Sequence, residues 1–242
     1  MLNNFKGQTF FYKKLKKNLA YPAFAVYLCR EKIAIMVSGG IDYTAHVPIQ
    51  IGKTPRKYTL AEYLQREARS AHKHEFINGQ IMLMPYAKGP HNIISLNIAF
   101  ACKQEFRKLE QTYILFSSDQ KIYFPTLDEG VYADALAVSE APVYWDKETL
   151  LLINPLLVIE VLSRSTKGYD RGGKFDKYKT LPSFREYMLV EQGKCYVEVW
   201  FQEKLGLWRE TITTDMQGMV RLDSVGISIA VADIYEHIVF PK

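Results

Sequence analysis

The sequence predicts a mixed β-sheet flanked by helices, an α/β fold on the border with α+β. Three observations predict it. Short β-branched runs recur along the chain, the most apolar of them over residues 156–162, and runs of that length read as strands. Two longer stretches, 59–70 and 91–109, carry apolar residues at helical spacing. The order of elements is helix, hairpin, helix, strands, helix, strands, which interleaves the two types rather than segregating them.

Residues 1–57 stand apart. Lys13, Lys14, Lys16 and Lys17 precede an apolar piece from Leu19 to Cys29 that Pro22 interrupts. This is the outline of a signal peptide, but it is too short to span a bilayer and no small-residue cleavage site follows it. The plainer expectation is an upstream extension that does not pack, with Met36 as an alternative start. Gly39, Gly40, Gly52 and Pro55 then mark a linker. The expected organisation is therefore a basic, poorly ordered extension over 1–57 and one domain over 58–242.

Within that domain, Thr59 with Glu62 three residues later forms a capping box and opens the first helix. Asn78-Gly79 between apolar runs predicts a tight hairpin, with strands near 73–77 and 80–84. The second helix follows from Ile94, Ile98, Ala101, Cys102, Phe106 and Leu109. Residues 113–124 read as strand, turn, strand. Pro125, Asp128, Glu129 and Gly130 read as a turn, and 131–138 as a strand with Asp134 inside it. After the apolar strand at 156–162 comes a helix near 170–180, stopped by Leu181-Pro182. Strands are expected at 186–191, 195–201, 207–213 and 225–230, with a short closing helix at 233–240.

The length of 242 residues and a hydrophobic content of 48% suit one sizeable domain with a core. Cys29, Cys102 and Cys195 have neither disulfide-framework nor metal-ligand spacing, so a reducing cytoplasm is the default. The net charge of +5 is unevenly held. Residues 1–57 carry ten basic and two acidic side chains, so the remainder is net −3. That excludes an overall basic nucleic-acid binder. One local patch is basic, with seven basic against two acidic residues from Arg164 to Arg185.

Glu160 interrupts the apolar strand beside this patch. An unpaired carboxylate in a buried strand is costly unless a cation neutralises it. Downstream, Asp170, Lys174 and Tyr178 are four apart and share one helical face. The residues alone thus read as a carboxylate strand for a metal, followed by a helix that delivers a lysine.

Asp134, then Glu160-Val161-Leu162, then Tyr169-Asp170-Arg171-Gly172-Gly173-Lys174-Phe175-Asp176-Lys177-Tyr178 and Glu186-Tyr187 resemble the Uma-type group of restriction-endonuclease-like proteins in the PD-(D/E)XK nuclease superfamily. The run Tyr58-Thr59-Leu60-Ala61-Glu62-Tyr63 and the hairpin Glu75-x-x-Asn78-Gly79 fit the same family. The resemblance covers about residues 58–240. It implies a restriction-endonuclease-like fold, a central mixed sheet with helices on both faces, a divalent metal (Mg²⁺ or Mn²⁺) and phosphodiester cleavage. Two positions depart from the superfamily pattern. Ala133 replaces the proline before Asp134, and Leu162 stands where a lysine is expected. In this family the lysine has moved to the helix, as Lys174.

The resemblance assigns Asp134 and Glu160 as metal ligands, Glu75 as a third acid orienting water, and Lys174 as the charge that polarises the attacking water. Gln80 and His91 are rim candidates. Each has an ordinary alternative: Glu160 paired with an arginine such as Arg171, Asp134 capping a turn, Lys174 solvated, Glu75 exposed on its strand. Tyr178 reads as packing. The function expected is a Mg²⁺-dependent endonuclease acting on DNA, with no membrane partner and, by analogy with nucleases of this fold, a homodimer. The alternatives are a catalytically inactive nuclease-fold module that binds nucleic acid or a protein partner, and a structural protein without nucleic acid.

Overall fold

A computed structural model describes residues 56–148, 150–163 and 166–241, together with the backbone of an antiparallel hairpin, β1 (Phe24–Cys29) and β2 (Lys32–Val37). The chain divides into two compact units, Met1–Thr54 and Pro55–Lys242. Apart from that hairpin, the expectations for residues 1–55 lie outside the described residues.

In the second unit, α1 (Leu60–Glu67) starts where its capping box requires. The Glu62 N–H donates to Thr59 Oγ1 at 3.2 Å, and the Thr59 N–H donates to Glu62 Oε2 at 2.9 Å. The hairpin of β3 (His74–Ile77) and β4 (Gln80–Leu83) turns through Asn78 and Gly79, both left-handed at φ 52° and 74°. Two such residues are what a type I′ turn demands. Tyr63 of α1 stacks on Phe76 of β3 and donates its hydroxyl to the His74 carbonyl at 2.6 Å.

The long helix α2 (Gly89–Phe106) is followed by β5 (Tyr113–Ser117) and β6 (Lys121–Phe124). These two strands are not paired with each other. β6 joins β7 (Glu129–Tyr132), and β5 joins β8 (Ala135–Ser139). Between β5 and β8 the chain crosses from one sheet to the other at residues 118–120 and back again at Ala133-Asp134. The strand expected over 131–138 is therefore two strands, with Asp134 in the bend between them. Glu129, expected in a turn, is a buried strand residue; Asp128, at φ 52°, takes the turn conformation.

Next come β9 (Leu157–Leu162) and a helix over 167–178 in three parts: α3 (Lys167–Tyr169), a π-helical turn (Asp170–Lys174) and α4 (Phe175–Tyr178). Then follow β10 (Glu186–Glu191), β11 (Val197–Lys204), β12 (Leu207–Thr213), β13 (Met219–Leu222), β14 (Ile227–Ala230) and α5 (Val231–Ile234). β13 was not expected. The closing helix is shorter than 233–240 and ends at Ile234.

The main sheet has six strands in the order β12-β11-β10-β9-β8-β5, and a second has four in the order β4-β3-β7-β6. Within the main sheet β9 and β10 are parallel and the other pairs antiparallel, so the sheet is mixed. The parallel pair needs a crossover, and the helix over 167–178 supplies it. One face packs on α2, β13, β14 and α5 through Ile94, Ile98, Ala137, Ile159, Ile229 and Ile234. The other packs on the crossover helix and the small sheet through Ile122, Phe124, Leu136, Val158, Phe175 and Tyr178. Phe175 stacks on Tyr187 of β10 with ring centres 5.0 Å apart, which seats the crossover helix on the sheet.

Candidate active site

Alternation along β9 sends Leu157, Ile159 and Val161 to the α2 face, and Val158 and Leu162 to the opposite face. Glu160 shares that second face. The β8–β9 register ends at the pair Ala135–Ile159, and Asp134, just past it in the bend, is near enough to push the Glu160 carboxyl upward. Asp134 is half-buried because it lies past the end of β8. Its Oδ2 accepts the Val161 N–H at 2.7 Å and lies 3.2 Å from His91 Nε2, at the start of α2.

Glu160 is buried, and its Oε1 receives the Lys174 ammonium at 2.8 Å and the Tyr178 hydroxyl at 2.9 Å. Lys174 also donates to the Tyr132 carbonyl at 2.7 Å and stands 3.5 Å from Glu75 Oε1 and 4.0 Å from Asp170 Oδ1. Only 5% of its side chain is exposed, so this lysine is not a solvated surface charge. The acids come from separate elements: Glu75 from β3, Asp134 from the β7–β8 bend, Glu160 from β9 and Asp170 from the crossover helix. Lys177 anchors that helix further by pairing with buried Glu129, whose Oε1 accepts the Asn78 N–H at 2.9 Å. The hairpin bearing Glu75 and the helix bearing Lys174 are thereby tied to one carboxylate.

The electrostatics follow from burial. Desolvation pushes the Glu160 carboxyl well above its ordinary value, and Asp134 and Asp170 push the same way while Lys174 pulls back. Burial also raises Asp170, against the pull of Lys174 and Thr166. Burial alone would lower the Lys174 amine, but Glu160, Glu75 and Asp170 outweigh it and hold the ammonium protonated. Burial likewise lowers His91, and Asp134 more than reverses the effect. Carboxylates outnumber cationic side chains in the cluster, and burial, with like-charged neighbours adding to it, raises Glu160 and Asp170.

Among the described residues no three His, Cys, Asp or Glu side chains close on one point as a protein-only cage. The donors present are hard carboxylate oxygens. The hydrogen bonds to Glu160 fall on Oε1 and the contacts of Asp134 on Oδ2, so among the described residues no donor meets the second oxygen of either. Two such carboxylates, in a cluster with surplus negative charge, fit Mg²⁺ or Mn²⁺. Such ions use one or two carboxylates and complete their shell with water and substrate phosphate.

Of the residues expected at the site, Lys174 contacts both Glu160 and Glu75, and Asp134 lies in the adjoining bend, where it acts on Glu160. Gln80 is elsewhere, donating to the Arg56 carbonyl. Arg171, considered as a partner for Glu160, instead pairs with Glu191 and Glu198 at 3.0 Å each. Tyr178, expected as packing, packs and also holds Glu160. Tyr132 was not foreseen, because a backbone carbonyl that accepts a hydrogen bond from a lysine leaves no mark in sequence.

The mixed sheet with a crossover helix on one face and acids at the bend of two strands defines a restriction-endonuclease-like protein. The chain belongs to the Uma2 family, described as "Putative restriction endonuclease", whose model matches residues 60–232. Two uncharacterised proteins of Synechocystis sp. are similar. One is 34% identical over 165 residues, covering 68% of this chain and 90% of that protein; the other is 31% identical over 186 residues, covering 76% and 94%. A crystal structure from Anabaena variabilis, described as "a putative nuclease belonging to DUF820", superposes with a TM-score of 0.59. It has 17% identity and covers 75% of this chain and 99% of its own; at that identity the likeness establishes the fold. Among the described residues no helix is long and apolar enough to cross a membrane.

Proposed function

We propose that the protein is a divalent-metal-dependent endonuclease that hydrolyses phosphodiester bonds of DNA. The observation that carries this reading is the convergence of Glu75, Glu160 and Asp170 on one buried ammonium, with Asp134 in the adjoining bend. Burying a lysine among several acids costs several kcal/mol per ion before pairing offsets it. An apolar packing would serve the fold as well, so the cluster points to chemistry. The descriptions of the family and of the Anabaena protein point the same way.

In this reading Asp134 and Glu160 would hold Mg²⁺ or Mn²⁺. When bound, the ion supplies relief of negative charge on the phosphoryl oxygens and eases deprotonation of water. The chain's own groups do the rest. Lys174, kept protonated by its acids, stabilises charge that develops on the phosphorus oxygens and orients the attacking water. Glu75 accepts a proton or hydrogen bond from that water. Tyr178 and Lys174 fix one oxygen of Glu160, and the Val161 N–H fixes one oxygen of Asp134.

The test is cleavage of plasmid and linear DNA by purified protein with Mg²⁺ or Mn²⁺. Asp134→Ala, Glu160→Ala and Lys174→Ala should each lose at least about 100-fold in rate, the usual cost of removing one preorganised electrostatic group. Undiminished cleavage in Asp134→Ala and Lys174→Ala would overturn the assignment. Leu162 at the usual lysine position, and the lack of a protein-only cage among the described residues, favour one rival, an inactive module that binds nucleic acid. That rival requires weak Mn²⁺ binding by calorimetry, whereas the nuclease reading requires binding that Asp134→Ala abolishes.

A further inference from the structure

Two buried side-chain atoms among the described residues have no hydrogen-bond partner within the protein: His91 Nδ1 and the Tyr169 hydroxyl. Leaving a buried hydroxyl unpaired costs on the order of 1–3 kcal/mol. Most buried polar groups are paired, so an exception calls for a cause.

The backbone around Tyr169 is arranged to keep its ring in place. Tyr169 closes the α-helical turn Lys167–Tyr169, and the π-helical turn begins at the next residue. In an uninterrupted α-helix, five residues carry two side chains about 140° apart. The wider π turn, bonded i to i+5, brings position 174 back toward position 169. Tyr169 is thereby swung to the side of the helix that carries Lys174. Gly173 leaves room for the ring: a Cβ there would stand 3.2 Å from Cδ2 and 3.3 Å from Cε2 of Tyr169. Burial, aided by Glu75, Glu129 and Asp170, keeps the phenol protonated, and a protonated phenol is a hydrogen-bond donor. Of the groups that act on it, the carboxylates of Glu75, Glu129 and Asp170 can only accept, and two of the three Lys174 donors already go to Glu160 and the Tyr132 carbonyl, which leaves one for a phosphate.

We propose that Tyr169 is a substrate-binding residue of this site, its hydroxyl donating to a non-bridging oxygen of the scissile phosphodiester. This deepens the nuclease reading and rests on it. A neutral donor suits the task, because a phosphate entering beside several carboxylates needs donors that add no negative charge. The phenol is not a hard anionic ligand, so the metal remains with the acids.

Tyr169→Phe removes one oxygen and keeps the ring; Gly173→Ala keeps the oxygen and crowds the ring. Each is compared with the full-length wild type in thermal unfolding, Mn²⁺ calorimetry, fluorescence anisotropy with labelled duplex DNA, and steady-state cleavage. Tyr169→Phe is expected to unfold at or above the wild-type temperature and to bind Mn²⁺ unchanged. It should bind DNA several-fold more weakly and lose about 10- to 100-fold in kcat/KM, the worth of one hydrogen bond to a charged group. Gly173→Ala should shift DNA binding in the same direction. Wild-type DNA binding and cleavage in Tyr169→Phe overturn the proposal, as does a loss matched by falling Mn²⁺ affinity or stability. If the wild type cuts nothing, the nuclease reading fails by itself, and equal DNA binding by wild type and Tyr169→Phe then overturns this one separately.

Discussion

At the scale of single residues, the chain places ionisable groups inside and satisfies each differently. Glu186 is fully buried at the start of β10, and its carboxylate accepts from the Asp223 N–H, the Ser224 N–H and the Ser224 hydroxyl. Burial nevertheless outweighs these bonds and raises the carboxyl from 4.5 to about 6. A carboxyl whose folded value lies above its unfolded value favours folding in the protonated form. Its contribution is complete below about pH 4.5 and is lost as pH rises through about 6, on the order of 2 kcal/mol. Glu186→Gln should flatten that part of the stability–pH curve in urea unfolding; an unchanged slope between pH 4.5 and 6.5 would contradict the mechanism. Cys102 shows a simpler case: burial, with Glu186 and Glu105 pushing the same way, lifts its thiol to about 12, and it packs in the core beneath α2.

At the scale of elements, local chemistry in the sequence was legible wherever the signal was local. Thr59 and Glu62 announce α1, and the capping box forms. Thr59→Ala should cost about 1 kcal/mol, read as a lower urea midpoint with an unchanged m-value; a changed m-value would point beyond the cap. Asn78-Gly79 announces the hairpin, and β9 its own burial. What escaped was set by distant partners. Residues 131–138 are an unbroken apolar run but for Asp134, so nothing local marks the bend; the Val161 N–H that Asp134 accepts belongs to another strand. Glu129 looked like turn chemistry because it follows Asp128, yet Lys177, nearly fifty residues on, makes it a buried partner. β5 and β6 are neighbours in sequence but enter different sheets, since each finds a better edge elsewhere. At the site, spacing of four put Asp170, Lys174 and Tyr178 on one face, which they keep. The π turn between them, and with it the placing of Tyr169, had no counterpart in the periodicity.

At the scale of the whole domain, the acids meet where the two sheets adjoin. Glu75 belongs to the four-stranded sheet, Glu160 to the six-stranded one, and Asp134 to the chain that passes between them. A divalent ion bound by Asp134 and Glu160 would therefore stabilise the folded domain as well as serve the reaction. Mn²⁺ at 100 times its dissociation constant should add about 2.7 kcal/mol to unfolding. That gain should register as a rise in melting temperature which Asp134→Ala abolishes. An identical rise in both proteins would place the ion elsewhere.

The grip of Lys174 on the Tyr132 carbonyl has a consequence for how such a protein can drift. The amine proposed to act in the reaction also pins the backbone just ahead of the bend. A lineage released from selection on cutting cannot simply drop it, because the acids around it would be left buried and mutually repelling. Decay of this centre must proceed by wholesale replacement, lysine and carboxylates together giving way to aliphatic side chains.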